Sequence, residues 1–201
     1  MRLDDAQIER YSRQIVLAEI GPKGQQALAA AHVGVGVVGP AAERVVAYLA
    51  AAGVGHLTLP AALRGLVDPA QLDVALAPWP PAPDTRLDAV LTGGATVGAV
   101  DARRRFWAEG GRAGEMPPCA ACAAAALGPE ADVDPLLAPL RAAVLGTVVA
   151  TEIVKALVGI GTGMRGSVLA YDPASATFTG TPVAPRARCA VCAGAAQMNG
   201  G

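Results

Sequence analysis

Aromatic residues are scarce in this 201-residue chain, at 3%, and alanine fills much of their place. So few rings imply small, close packing surfaces, suited to helices laid tightly on a sheet. Charge of one sign is not in excess either: 16 basic residues stand against 17 acidic ones. No global field therefore draws in nucleic acid or an anionic membrane. A basic start followed by an apolar stretch is also missing, because residues 1–14, MRLDDAQIERYSRQ, are studded with charge. That start argues against a secretory leader and for a cytoplasmic protein. No long hydrophobic run escapes charge. The longest, Ala142 to Gly161, carries Glu152 and Lys155 near its middle, so a helix buried in a core or a subunit interface is expected, not a membrane span. What the chain does have is 53% hydrophobic residues and a positive mean hydropathy, enough for one core over residues 1–201.

Cysteine is rare, and its placement is the most informative feature. All four cysteines fall in two pairs of the same form, Cys119-Ala-Ala-Cys122 and Cys189-Ala-Val-Cys192. A two-residue spacer turns both thiolates of a knuckle toward one point, and two knuckles complete a tetrahedron around Zn²⁺. The alternatives are four unrelated buried thiols or a redox pair, although neither pair follows a strand into a helix as a thioredoxin-like motif would. Four thiolates leave no open coordination position, so such a metal holds the fold and does no chemistry.

Strands alternate with helices along the chain, which predicts an α/β, Rossmann-like, doubly wound and mainly parallel sheet with helices on both faces. Asp4 or Asp5 caps a first helix with Ile8, Tyr11 and Ile15 on one face, ended by Gly21-Pro22. With a second short helix, it makes an N-terminal helical arm over residues 1–31. His32–Val38 reads as a buried strand, Pro40–Ala52 as a helix started by its proline, and His56–Leu59 as the next strand. The proline-rich segment 60–86 is mostly linker, with room for one strand around Leu72–Leu76. Asp88–Thr92 reads as a core strand and Thr96–Trp107 as a helix. Leu136–Val158 is a long apolar helix, bracketed by the two knuckles over 119–192. Ser167–Tyr171 and Thr177–Val183 form a C-terminal β-hairpin through Asp172-Pro173.

The block Arg10-Tyr11-Ser12-Arg13-Gln14-Ile15-Val16-Leu17, with Glu19-Ile20-Gly21 and Gly24-Gln25 after it, resembles the start of the E1-like adenylyltransferases, the MoeB, ThiF and HesA group. The stretch Tyr48-Leu-Ala-Ala-Ala-Gly-Val-Gly-His-Leu-Thr-Leu59 is similar to that family's helix-to-strand passage. The resemblance resumes at Thr151–Leu157, Gly166–Asp172 and Cys189–Gly194. It implies a structural zinc, a homodimer or a heterodimer with an E1-like subunit, MgATP, and a ubiquitin-like sulfur carrier protein activated at its C-terminal glycine.

Matched position by position, the nucleotide site is incomplete. The family follows its first strand with a Gly-x-Gly-Gly-Leu-Gly turn whose backbone N–H groups cradle phosphates. Here that turn is Gly39-Pro40-Ala41-Ala42-Glu43-Arg44, where the first glycine alone persists. A literal G-x-G-x-x-G at Gly34, Gly36 and Gly39 leaves hardly any strand before its first glycine and reads as glycines inside a tightly covered strand. The acid that binds the ribose in relatives is replaced by the run Leu59-Pro60-Ala61. Arg64 and Arg86 stand in no matching phosphate motif, and both read as surface arginines. The site of the magnesium aspartate is Thr92-Gly93-Gly94-Ala95-Thr96, with Asp88 at the wrong end of the strand and Asp101 too far along. Arg13 matches an arginine that reaches toward the phosphates across a dimer in relatives, and its bland alternative is a helix-surface residue.

Two readings follow. One is a zinc-stabilised E1-like pseudoenzyme, a dimeric scaffold or partner subunit, with Cys119, Cys122, Cys189 and Cys192 on the metal. The other is an active adenylyltransferase whose MgATP site is rebuilt from divergent residues or supplied by a partner. The terminal Gly200-Gly201 is the ending of a carrier protein, but glycine is frequent in this chain and composition alone accounts for it.

Overall fold

The residues described in the computed structural model are 3–68, 72–82, 84–85, 87–92, 99–100, 122, 134–161, 167–184 and 186–189. Asp4 starts α1 (Asp5–Arg10) with a capping box: its carboxylate accepts the Gln7 N–H at 2.8 Å and its own N–H donates to Gln7 Oε1 at 3.1 Å. The single helix expected here divides at Tyr11, after which α2 covers Ser12–Ile15. Tyr11 is the reason: its ring is driven inward to pack on Gly53, and the backbone leaves helical geometry to place it there. Gly21-Pro22, expected as a stop, instead begins α3 (Gly21–Ala30), with Gly21 at φ +58° and Pro22 in the first turn, where its missing N–H costs nothing.

The main sheet is built from β1 (His32–Val35), β2 (His56–Leu59), β3 (Ala75–Pro78), β4 (Ala89–Thr92) and β5 (Ala99–Val100), in the order β3-β2-β1-β4-β5. The first four run parallel, and β5 pairs antiparallel with β4. Two expectations are corrected. The strand expected at Leu72–Leu76 lies further on, because a tight turn from Leu72 to Val74 delays pairing until the Ala75 N–H reaches the Gly55 carbonyl. Pro78 is tolerated there because β3 is an edge strand. Ala99-Val100, expected inside a helix from Thr96, pairs with Thr92 and Leu91 as β5 and lengthens the sheet; the rest of that helix lies outside the described residues.

Between the strands run α4 (Pro40–Ala51) and the one-turn α5 (Ala61–Arg64); α6 (Ala138–Val158) follows later and ends on Gly159 in a left-handed conformation. The hairpin is β6 (Ser167–Asp172) with β7 (Thr177–Pro182), and Tyr171 faces Phe178 across it at 4.7 Å between ring centres. No helix among the described residues is long and apolar enough to cross a membrane. The two charges in the apolar half of α6 pair with each other: Lys155 Nζ lies 2.6 Å from Glu152 Oε1.

Alternation along β1 and β2 gives the sheet two unlike faces. Val33, Val35, Leu57 and Leu59 are fully buried in one cluster with Val45, Val46 and Leu49 of α4 and Ile153 of α6. The helices approach closely because small residues let them: a Cβ at Gly146 of α6 would stand 2.5 Å from the Ala41 carbonyl oxygen at the head of α4. The opposite face presents His32, Gly34, His56 and Thr58. Its described cover over the glycines is the side chains of Trp79 and Leu87.

Candidate functional site

The sheet order reverses between β1 and β4, and open α/β sheets bind ligands in the crevice outside the carboxyl ends of strands at such a point. The chain leaves β1 through Gly36–Gly39 and enters α4. Gly39 is the N-cap, at φ +121°, a conformation that favours glycine. No side chain caps the helix. Pro40 contributes no N–H to the first turn, Ala42 is buried, and exposed Glu43 supplies the negative charge that the positive end of the helix dipole favours. Behind this turn sits α6, touching Ala41 and Arg44 through Gly146.

The other residues singled out in the sequence are dispersed. Arg13 lies exposed on α2. Arg64 donates from Nε to the Leu59 carbonyl at 3.4 Å, a structural contact that closes α5 onto the end of β2. Asp88 stands at the amino end of β4, accepting the His32 N–H at 3.0 Å while its own N–H donates to the His32 carbonyl at 2.8 Å. It fastens β4 to β1 at the end away from the crevice. Arg86 and Asp101 lie outside the described residues.

Sequence reasoning missed Trp79. Its N–H donates to the Leu59 carbonyl at 3.0 Å, and its indole crosses β2 to lie on Gly34 and Gly36. A Cβ at Gly36 would come 2.4 Å from the ring, so the glycines of the literal motif are the floor beneath an indole. The signal was the repeated alternation His32-Val-Gly34-Val-Gly36 and His56-Leu-Thr58-Leu59, which marks one face of both strands as poor in bulk. Further toward the amino ends, His32 Nε2 shares a hydrogen bond of 2.7 Å with the buried Thr58 hydroxyl, and the His32 and His56 rings lie 5.6 Å apart. Burial first, then the neighbouring His56, lowers the His32 pKa below its ordinary 6.5, against the opposing pull of Asp88.

The N-terminal arm is held by a second cluster. The Tyr11 ring and the Gln25 amide both pack where a Cβ of Gly53 would be, at 2.7 and 2.6 Å, and Gln25 Nε2 donates to the Ala52 carbonyl at 3.0 Å. Gly53 takes φ +86° to allow this.

Of the four cysteines, Cys122 and Cys189 are described, and both are buried. They come from Cys-x-x-Cys pairs far apart in the sequence yet meet at one turn. The Arg186 N–H donates to Cys122 Sγ at 3.4 Å, and the Cys189 N–H donates to the Arg186 carbonyl at 3.1 Å. Cys119 and Cys192 lie outside the described residues. Among the described residues no group of three or more metal-ligating side chains is assembled.

The fold and crevice define an α/β protein with a mainly parallel sheet; the described helices that pack on it, α3, α4 and α6, share the one aliphatic cluster, so the expected helices on both faces are not seen among the described residues. Comparison with known proteins narrows this. No protein-family model matches the chain. The SAMP-activating enzyme E1 of Haloferax volcanii is 42% identical over 59 residues, which are 29% of this chain and 22% of that protein. The adenylyltransferase and sulfurtransferase MOCS3 of Bos taurus is 53% identical over 57 residues, 28% of this chain and 12% of that one. A sulfur carrier protein adenylyltransferase of Thermus thermophilus is 42% identical over 57 residues, 28% and 21% of the two chains. The matched stretches thus span about a fifth or less of these relatives. Among solved structures, Escherichia coli MccB with MccA-N7isoAsn superposes over 92% of this chain and 74% of its own, at a TM-score of 0.58 and 11% identity, a likeness of fold. Over those short stretches the chain is similar to adenylyltransferases of this kind, and over most of its length its fold is like that of MccB.

Proposed function

We propose that this chain is a zinc-stabilised E1-like protein with an impaired nucleotide site. It acts as a dimeric scaffold or partner subunit, homodimeric or paired with an E1-like chain, for ubiquitin-like or sulfur-carrier chemistry. The observation that carries the reading is the first turn of α4. A phosphate brought to the head of that helix would meet Pro40 in place of an N–H donor and the exposed carboxylate of Glu43. Further support comes from Asp88, which is committed to fastening β4 to β1 at the far end, and from the absence of any matching acid at Leu59-Pro60. Removing one electrostatic element of a catalytic site commonly costs about 10²–10³ in rate, so several losses together leave little turnover.

The residues proposed for the metal are Cys119, Cys122, Cys189 and Cys192. The burial of Cys122 and Cys189 on either side of Arg186 fits a shared centre. Zinc held there contributes folding free energy and leaves no open position for substrate. Apart from Gly39 of the turn, Arg13 is the element of the site that would remain, exposed on the arm where it could face a second subunit.

Pyrophosphate exchange with a carrier protein ending in Gly-Gly tests the reading: exchange at background is expected, and carrier-dependent exchange by this chain alone would establish an active adenylyltransferase instead. Elemental analysis is expected to find one zinc per four thiols; a metal-free, fully folded protein would remove the zinc from the proposal.

A further inference from the structure

The indole of Trp79 lies flat on β1, on the face away from the aliphatic cluster. A Cβ at Gly36 would stand 2.4 Å from Cζ2 and 2.8 Å from Cε2 of that ring, and one at Gly34 would stand 3.1 Å from Cζ3. Non-bonded carbon atoms keep about 3.5–4.0 Å, so the ring can rest there only because both residues lack a side chain. Leu87 closes the strip at Gly34, its Cδ1 lying 2.7 Å from the same Cβ position. The backbone of Trp79 is fixed through the Leu59 carbonyl, and the residue stays half-buried.

The carboxyl end of β1 therefore carries a bare strip, floored by Gly34 and Gly36 and walled by Leu87, beside the point where the strand order reverses. We propose that this strip is a binding slot for a planar bicyclic aromatic ring of indole or purine size, and that Trp79 is its built-in occupant. The indole rests over Gly34 and Gly36 and so keeps any free ring off the strip. The reading of the phosphate turn concerns charge at the head of α4. This one concerns a ring on the floor of β1, and either can fail without the other.

Trp79→Ala in the full chain tests the slot. Thermal unfolding is followed with free indole and, separately, with adenosine, neither of which carries a phosphate to meet the turn. Indole at tenfold excess over its Kd is expected to raise the Tm of the variant by about 3–6 °C and to leave the parent chain unmoved. A gain with adenosine as well would extend the slot to nucleosides. Equal shifts for variant and parent, or none for the variant with either probe, would overturn the proposal. Should Trp79→Ala not fold, Gly36→Ala in a Trp107→Phe background reads the same contact. The new methyl is expected to unseat the indole, with a red-shifted emission and readier iodide quenching, and unchanged emission would overturn the assignment.

Discussion

The two faces of β1 and β2 alternate residue by residue along the same short strands and do different work. On one face Val33, Val35, Leu57 and Leu59 disappear into an aliphatic cluster with α4 and α6. On the other, two glycines meet one indole and one leucine, and His32 shares a hydrogen bond with Thr58. The first face is generic: any well-packed α/β core could use it, and its energy is spread over many similar contacts. The second rests on single contacts, each with a particular partner. Stability and specificity are thus divided across one sheet.

The division can be broken by substitution. Leu57→Ala, on the aliphatic face, is expected to cost about 2–5 kcal/mol, because the void it leaves is enclosed by the core. A denaturant midpoint within error of the parent would contradict the assignment of stability to that face. Next comes Gly146→Ala, whose methyl would meet the Ala41 carbonyl at 2.5 Å; helix backbone has to move, at about 1–3 kcal/mol by the usual cost of overpacking. Gly36→Ala meets a closer neighbour, at 2.4 Å, yet is expected to cost less, about 1 kcal/mol, since the neighbour is a half-buried ring able to turn away. Equal losses from Gly146→Ala and Gly36→Ala would erase the contrast between a backbone contact and a side-chain one.

The smallest expected effect is that of pH on His32. Its pKa in the folded chain lies below the ordinary 6.5, so the unfolded chain takes up a proton first as pH falls. The contribution of neutral His32 to stability is complete above about pH 6.5 and is lost as pH drops through the lowered value. Tm measured from pH 8 to pH 5 is expected to fall less for His32→Asn than for the parent; identical profiles would remove His32 as a cause.

The generic face was legible in the sequence and the specific one was not, for a physical reason. Periodicity reports burial, so β1, α4, β2, β4, α6 and the hairpin stood out from the placement of apolar residues, glycines and prolines. Even there, local signals left choices open. Gly21-Pro22 serves a helix start as well as a stop, and only the inward turn of Tyr11 divides the first helix. Ala99-Val100 has helical composition and became a strand because β4 offered it an edge. The identities at the head of α4, from Gly39 to Glu43, could be read directly. Trp79 could not, because it lies in a proline-rich segment that reads as linker, and its partners are two glycines more than forty positions away. A tertiary contact of that kind leaves a local trace only in its floor, the glycines of an alternating strand.

On the proposed reading an E1-like fold persists here while its head-of-helix phosphate site does not. Calorimetric titration of the zinc-loaded chain with MgATP, carried to millimolar nucleotide, tests it most directly. No saturable heat is expected. Saturable binding, abolished by Arg13→Ala, would mean that a pocket has been rebuilt around the arm and would contradict the account.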